Sequence, residues 1–307
     1  MIKVLELFAG IGACSKALER LGIEHEIVDA VEIDKYAINS FNAIHGTNFV
    51  PQDIREWNKD VKCDLIMHGS PCQDFSVAGK GLGGDYGSGT RSSLLYETLR
   101  IVEKLKPKYV IWENVKNILS RRHVHNWDCY AEQMEEMGYV NYCDILNAKD
   151  YGIPQNRERV FTVSIYVSDY PNILEKDYHC PKPFPLEKKL KDFLEDNVDD
   201  RYKLSDRQKH GMSVTKYESY KLSNLLRSRD GEAMCIKARF EGCPQLIQEN
   251  GYIRKFTPRE CWRLMGFDDE DFDKAAKVNS NTQLYKQAGN SIVVNVLEEI
   301  FKNLILS

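Results

Sequence analysis

The sequence predicts an α/β protein: a doubly wound sheet of parallel strands, with a second, smaller domain placed late in the chain. Three observations predict it. Apolar runs of strand length alternate with helical periods from Lys3 to Val167. A glycine turn, Ala9-Gly-Ile-Gly12, joins the first strand to the first helix. Near residue 170 the composition changes, because Tyr170-Pro171 and Pro181-Lys-Pro-Phe-Pro185 interrupt the chain just before a basic stretch.

Taken in order, Lys3-Val-Leu-Glu-Leu-Phe8 reads as a strand and Ala13 to Leu21 as a helix. The βα pattern returns in Glu26 to Val31 with Lys35 to His45, and in Asp64 to His68 with a helix near Leu94 to Leu105. Pro107 breaks that helix and Lys108-Tyr-Val-Ile-Trp112 follows as a strand, with Tyr139 to Leu146 and Arg159 to Val167 completing the sheet. Ligands are then expected at the carboxyl ends of the strands. The final stretch, Asn290 to Leu306, is apolar at helical spacing and needs a large core to bury it, so it is expected to rejoin the first domain. The expected division is residues 1–170 plus 285–307 for the first domain and 171–284 for the second.

Composition narrows the function classes. A chain of 307 residues, 42% hydrophobic and 29% charged, can bury a large core and reads as soluble and globular. No apolar stretch approaches a membrane span, and Met1 to Phe8 is too short and too acidic for a signal peptide, so a cytoplasmic location is expected. Nine scattered cysteines with no Cys-x-x-Cys pair argue against a disulfide framework and against a metal site. Net charge is −4, yet residues 201–260 hold 13 Lys/Arg against 7 Asp/Glu, a local basic excess.

Four sequence features carry chemistry. Phe8, Ala9, Gly10, Ile11 and Gly12 form a turn that lets backbone approach a ligand, although the full G-x-G-x-x-G spacing is missing. Glu32, in Val31-Glu-Ile-Asp34, puts an acid at the next strand end, about 20 residues on, where dinucleotide folds hold a ribose. Together they favour an adenosine-containing cofactor. Cys72, in Gly69-Ser-Pro-Cys-Gln73, follows a strand and precedes Gln73 to Ser93, a stretch with six glycines that is long enough to be a lid. A buried thiol is the commonest fate of a cysteine; the strand end and the long loop favour a nucleophile. Glu113 ends another strand facing the same crevice, and Arg157 and Arg159, in Gln155-Asn-Arg-Glu-Arg159, are expected on one strand face by period two, meeting an anion or fixing a carboxylate.

With these residues in order, the chain resembles a DNA (cytosine-5) methyltransferase of the bacterial or phage type. Leu7 to Gly12 is similar to the family's methionine-binding turn, Glu32 to its ribose acid, and Asp53-Ile54 to its adenine-contacting pair. Gly69 to Gln73 resembles the nucleophile motif, Glu113-Asn-Val115 the Glu-Asn-Val motif, and Gln155 to Arg159 the Gln-x-Arg-x-Arg motif. Arg254-Lys-Phe-Thr-Pro-Arg-Glu-Cys-Trp-Arg-Leu-Met-Gly-Phe267 resembles the motif that braces the recognition region, and Gln287-Ala-Gly-Asn-Ser291 the last motif. Ile33 stands where tryptophan often flanks the adenine, and Phe256 where leucine is usual.

The resemblance implies a Rossmann-like fold using S-adenosylmethionine, with cofactor contacts at Phe8 to Gly12, Glu32, Ile33, Asp53, Ile54, Pro71, Leu94, Asn290 and Ser291. It implies a Cys72 thiolate that attacks carbon 6 of a flipped-out cytosine, Glu113 on the ring edge, Arg159 positioning the base and Arg157 supporting the strand. It further implies a monomer acting on double-stranded DNA through a recognition domain at 171–284, where Met234 to Phe240 and its surroundings would read bases, and a possible cognate restriction endonuclease. Three alternatives stand beside it. A tRNA branch shares the motif set but usually carries Pro-Pro-Cys-Gln and a Cys-Phe-Thr signature, both absent here. A non-catalytic DNA-binding relative would lack the nucleophile or the cofactor motif. An ordinary nucleotide-dependent oxidoreductase leaves Cys72, Glu113 and the arginines unexplained.

Overall fold

The structure, a computed structural model of the chain, describes residues 1–70, 94–167, 178–238, 245–249 and 251–306. In chain order the elements are β1 (Ile2–Leu7), α1 (Ala13–Arg20), β2 (His25–Val31), α2 (Lys35–His45), β3 (Leu65–His68), α3 (Leu95–Leu105), β4 (Tyr109–Val115), α4 (Val124–Glu136) and β5 (Tyr139–Asn147). They continue as β6 (Gln155–Asn156), β7 (Glu158–Tyr166), α5 (Asp206–Val214), α6 (Leu222–Leu225), β8 (Leu226–Arg227), β9 (Ala233–Met234), β10 (Leu246–Glu249) and β11 (Tyr252–Lys255). Four helices close the chain: α7 (Pro258–Arg263), α8 (Asp269–Ala276), α9 (Asn281–Asn290) and α10 (Val294–Phe301).

Local chemistry sets several boundaries. Asp34 caps α2 by accepting the Tyr36 amide, and Gly46, left-handed at φ 66°, ends it. Thr257 and Glu260 form a capping box on α7, with Pro258 in the first turn. The apolar stretch expected from Asn290 to Leu306 is a helix only from Val294, since Asn290 closes α9 and Ser291 is extended.

The chain divides into two compact units, Met1–Leu146 with Glu158–Lys182 and Val296–Ser307, and Asn147–Arg157 with Pro183–Asn295. The first is built on a six-stranded sheet in the order β2-β1-β3-β4-β7-β5. Parallel pairing joins β2, β1, β3 and β4, while β7 runs antiparallel to β4. The exception has a topological cause: β7 follows β5 after a connection too short for a crossover, so the chain turns back. Leu5, Leu7, Ile66, Val110, Trp112 and Tyr130 fill the core, each side chain worth about 1.5–3 kcal/mol on burial.

Strand order reverses between β1 and β3, which is the switch point where doubly wound sheets bind ligands. Register makes that edge specific. Val31, Leu7, His68 and Trp112 lie side by side across β2, β1, β3 and β4. Glu32, Phe8 and Gly69 directly follow β2, β1 and β3, and Glu113 follows Trp112 within β4, so four motif positions lie along one side of the sheet.

The second unit holds two small sheets, β11-β10-β8 and β6-β9, the latter pairing Gln155 with Ala233. Leu204, Leu225 and Leu246 form one cluster. Trp262 packs on Phe267 and Phe272 and donates its indole N–H to the Leu284 carbonyl at 2.9 Å.

Candidate active site

The turn after β1 is shaped by its glycines and by one strained residue. Gly10 and Gly12 are left-handed at φ 57° and 81°, and Phe8 adopts φ 53°, a conformation that bulky side chains rarely hold. A Cβ on Gly12 would lie 2.1 Å from Nε2 of His45, so no larger residue fits there. A Cβ on Gly10 would meet only the Phe8 carbonyl, at 4.0 Å, so that face of the turn is open.

Glu32 holds this turn. One carboxylate oxygen accepts the Gly10 amide at 3.1 Å and the other accepts the Asp34 amide at 2.8 Å. Burial raises its pKa, and the two amides oppose that. A half-buried acceptor locked beside an open glycine turn suits a ribose diol. Ile33, next to it, is 67% exposed and offers a flat apolar surface.

The amides that open α1 go elsewhere. Glu6, buried within β1, accepts the Ser15 amide at 3.1 Å and the Ser15 hydroxyl, and takes a backbone hydrogen bond from Cys14 as well. The N-terminus of α1 therefore has two of its donors bound by the protein's own carboxylate. Asp53 pairs with Arg55, whose hydrogen bond lowers the pKa of the carboxyl, and Ile54 is buried against the core. Leu94 is half-buried immediately before α3.

At the other strand ends, Arg159 Nε lies 3.0 Å from the Glu113 carboxylate, both partly exposed. Glu113 falls inside β4, which runs three residues beyond the strand the sequence predicts, to Val115. Antiparallel register opposite β7, with Val115 beside Arg159, brings the pair together. The Trp112 indole donates to the Ser70 hydroxyl at 2.9 Å, tying β4 to the residue two before Cys72. Cys72, Pro71, the stretch Gln73 to Ser93, and Arg239 and Phe240 lie outside the described residues.

Arg157 differs from Arg159. The strand breaks at Arg157, between β6 and β7, so the two arginines do not share a strand face as period two predicts. Arg157 belongs to the second unit, is 4% exposed, and donates to the carbonyls of Ile236 at 2.9 Å, Gly289 at 3.2 Å and Ser291 at 2.7 Å. Both terminal nitrogens of its guanidinium are engaged by backbone carbonyls. Asn290 and Ser291 are in the same unit, Asn290 exposed and Ser291 buried. Gly289 is required there, since a Cβ would lie 2.1 Å from the Ala238 nitrogen. Among the described residues no cluster of His, Cys, Asp and Glu could hold a metal ion, and no helix is long and apolar enough to cross a membrane.

Residues 2–306 match the family model for the C-5 cytosine-specific DNA methylase. The chain belongs to that family. As a member it is a methyltransferase acting on carbon 5 of cytosine in DNA. It is 36% identical to the type II methyltransferase M2.ScrFI of Lactococcus lactis subsp. cremoris, over 100% of both chains. It is 34% identical to the type II methyltransferase M.HhaI of Haemophilus parahaemolyticus, over 99% of this chain and 94% of the relative. The orphan methyltransferase M.SPRI of Bacillus phage SPR is 30% identical, over 99% and 97%. Two solved structures share the fold: the S. pombe Dnmt2 methyltransferase, with TM-score 0.75 at 21% identity and coverage of 100% and 99%, and the Entamoeba histolytica methyltransferase EhMeth, with TM-score 0.78 at 17% identity and coverage of 99% and 98%. The sheet of the methyltransferase is therefore the Rossmann-like one.

Proposed function

We propose that this methyltransferase modifies cytosine in duplex DNA through a covalent adduct on Cys72, with S-adenosylmethionine held at the β1 and β2 strand ends. The observation that carries the reading is the register row: β2, β1 and β3 end side by side next to Trp112 of β4, so the ribose acid, the glycine turn, Gly69 of the Cys72 motif and Glu113 lie along one side of the sheet.

The chemistry follows from cytosine. Carbon 5 is a poor nucleophile, and addition at carbon 6 activates it. The Cys72 thiolate forms the sulfur–carbon bond, and the electrons of the ring double bond move toward carbon 5 and the N3 edge. Glu113 shares a proton with N3 and accepts from the exocyclic amine, so the negative charge that develops on the ring is neutralised at N3. Arg159, on the Glu113 carboxylate, positions the base-facing edge. Arg157 braces the chain behind it through three backbone carbonyls. When bound, S-adenosylmethionine supplies the electrophilic methyl group that the activated carbon 5 accepts. Loss of the carbon 5 proton then returns its electron pair to the ring and expels Cys72 as thiolate. Because a duplex hides carbon 6, the base must leave the stack, and Gln73 to Ser93 is the segment we assign to closing over it.

Glu32 fits the ribose hydroxyls, the Gly10 side of the turn the methionine portion, and Ile33, Asp53 and Ile54 the adenine, with Pro71, Leu94, Asn290 and Ser291 completing the contacts. The second unit, with its basic excess, is the DNA-recognition part, holding phosphates through Lys/Arg. We further propose that the enzyme acts as a cytoplasmic monomer, and that in a restriction–modification pair its partner is a cognate endonuclease, as the type II names of the relatives suggest.

The test is direct. Cys72→Ser should abolish methyl transfer and leave S-adenosylmethionine binding nearly intact, and duplex DNA carrying 5-fluorocytosine should trap the wild type but not the variant. Full activity in Cys72→Ser would sink the mechanism. Methylation of tRNA with none of duplex DNA, read by bisulfite sequencing, would move the substrate to the RNA branch.

A further inference from the structure

Between α2 and β3 the chain runs from residue 47 to 64 with no helix or strand, yet this stretch carries Asp53 and Ile54. A segment without a hydrogen-bonded ladder needs other means to hold a ligand-facing pair in place. Two side chains supply them from opposite sides.

Asp29, on β2 three residues before Glu32, is 1% exposed. Its carboxylate accepts the Gln52 amide group at 2.9 Å, the Trp57 indole at 2.8 Å and the Lys59 ammonium at 2.7 Å. Gln52 also donates to the Ala30 carbonyl at 3.1 Å, and its backbone amide donates to the Glu32 carbonyl at 2.8 Å. Arg100, on α3, donates to the carbonyls of Ile54 at 3.1 Å and Trp57 at 3.0 Å. The residues on either side of Asp53 and Ile54 are thereby bolted to the strand that bears Glu32 and to a helix of the same unit.

We infer that Asp29 and Arg100 are positioning residues that set affinity for S-adenosylmethionine, by holding the Gln52 to Lys59 stretch at a fixed distance from Glu32. The inference rests on the cofactor reading of Glu32, Asp53 and Ile54 given above. It extends that reading to residues outside every motif: Asp29 lies inside an apolar strand, where a lone carboxylate has no value until its donors arrive from the loop. Burial would push Asp29 up, but Lys59, Trp57 and Gln52 outweigh it and hold the carboxyl below its usual range, so the acceptor is fully charged at neutral pH. Charge-assisted bonds of this kind are the strong ones. Loosening them blurs the span between ribose and adenine contacts while leaving the Glu113 and Arg159 pair untouched.

The experiment uses the full chain and compares Asp29→Asn, Trp57→Phe, Arg100→Ala and Glu32→Ala. For each, equilibrium dialysis gives the Kd for S-adenosylmethionine, and steady-state rates give kcat with KM for cofactor and for DNA. Asp29→Asn should raise cofactor Kd and KM about ten-fold, with kcat at saturating cofactor within about two-fold of wild type and KM for DNA unchanged. Trp57→Phe keeps an aromatic ring at this buried position but removes the indole N–H with its five-membered ring, and should reproduce the same split more weakly, as should Arg100→Ala. An unchanged cofactor Kd in Asp29→Asn and Trp57→Phe, with Glu32→Ala weakened, overturns the positioning role alone. An unchanged Kd in Glu32→Ala overturns the cofactor reading beneath it. Equal losses in kcat and both KM values, tracking a lowered melting temperature, would reduce Asp29 to a fold residue and also overturn the inference.

Discussion

Glu113 and Arg159 sit 3.0 Å apart at the end of β4, with side chains 13% and 18% exposed; Glu260 and Arg254, in the second unit, sit 2.7 Å apart with none. The chemistry of the two pairs is the same and their surroundings are not. Arg254 spends its donors on Glu260 twice, on Glu249 and on the Lys255 carbonyl. Glu260 also accepts the Thr257 and Glu195 amides. Nothing in that cluster has capacity for a ligand, and removing one partner leaves a buried charge. The Glu113 pair keeps a solvent-facing side, so one partner can turn to a substrate at small cost to the fold. A fully enclosed ion cluster braces, and one with a solvent-facing side is within reach of a substrate.

The sharpest way to break this contrast is Glu113→Gln. The rate of methyl transfer in a single turnover should fall by about 10²–10⁴-fold, the usual loss when a positioned acid–base group is removed. The melting temperature should stay near that of the wild type. A large drop in stability with the rate per folded molecule unchanged would show that Glu113 is a brace like Glu260.

The converse is Glu260→Ala. It strips both oxygens from Arg254 and breaks the α7 capping box, and the expected loss is about 3–5 kcal/mol in urea unfolding, as for other broken buried pairs. A loss under about 1 kcal/mol would mean that water or Glu249 takes over the guanidinium, and the contrast would fail.

The sequence made one side of this contrast easier to read than the other. Glu113 was legible because a strand-end acid needs only the local pattern of β4 and the alternation of strands and helices. Its partner was legible as an arginine expected to meet an anion or fix a carboxylate, but not as the partner of Glu113: Arg159 reaches Glu113 through antiparallel register that no local spacing encodes, and the break at Arg157 sends the neighbouring arginine into backbone carbonyls instead. The register row of Val31, Leu7, His68 and Trp112 is likewise a long-range pairing fact. Glu6 and Asp29 were missed because each sits in an apolar strand and reads as an interruption until its donors are seen. A polar residue inside a buried strand was the available signal, since it must find partners somewhere.

Glu6 extends the comparison to a carboxylate that is as buried as Glu260 but has amides and a hydroxyl where Glu260 has a guanidinium. Burial therefore wins over its hydrogen bonds and raises its pKa from 4.5 to about 7. The sign follows: an acid with a raised folded pKa binds more protons folded than unfolded, so its stabilising contribution is full below about pH 4.5 and is lost as pH rises through about 7. Two imidazoles, His68 buried and His45 half-buried, act in the opposite sense. His45 and His68 are pushed down to about 4 and about 3 by burial, so they contribute stability above pH 6.5 that is lost as pH falls. A pH profile of the wild type alone mixes these slopes. Glu6→Gln isolates one of them, because the histidines cancel in the difference between variant and wild type. That difference should favour the variant increasingly from pH 4.5 to 7.5, by about 2–3 kcal/mol in total, measured by urea unfolding at each pH. A difference that stays flat across the range would mean that the two Ser15 donors and the Cys14 amide hold the Glu6 charge as well as Arg254 holds that of Glu260, and a buried carboxylate in this fold would not need a cation.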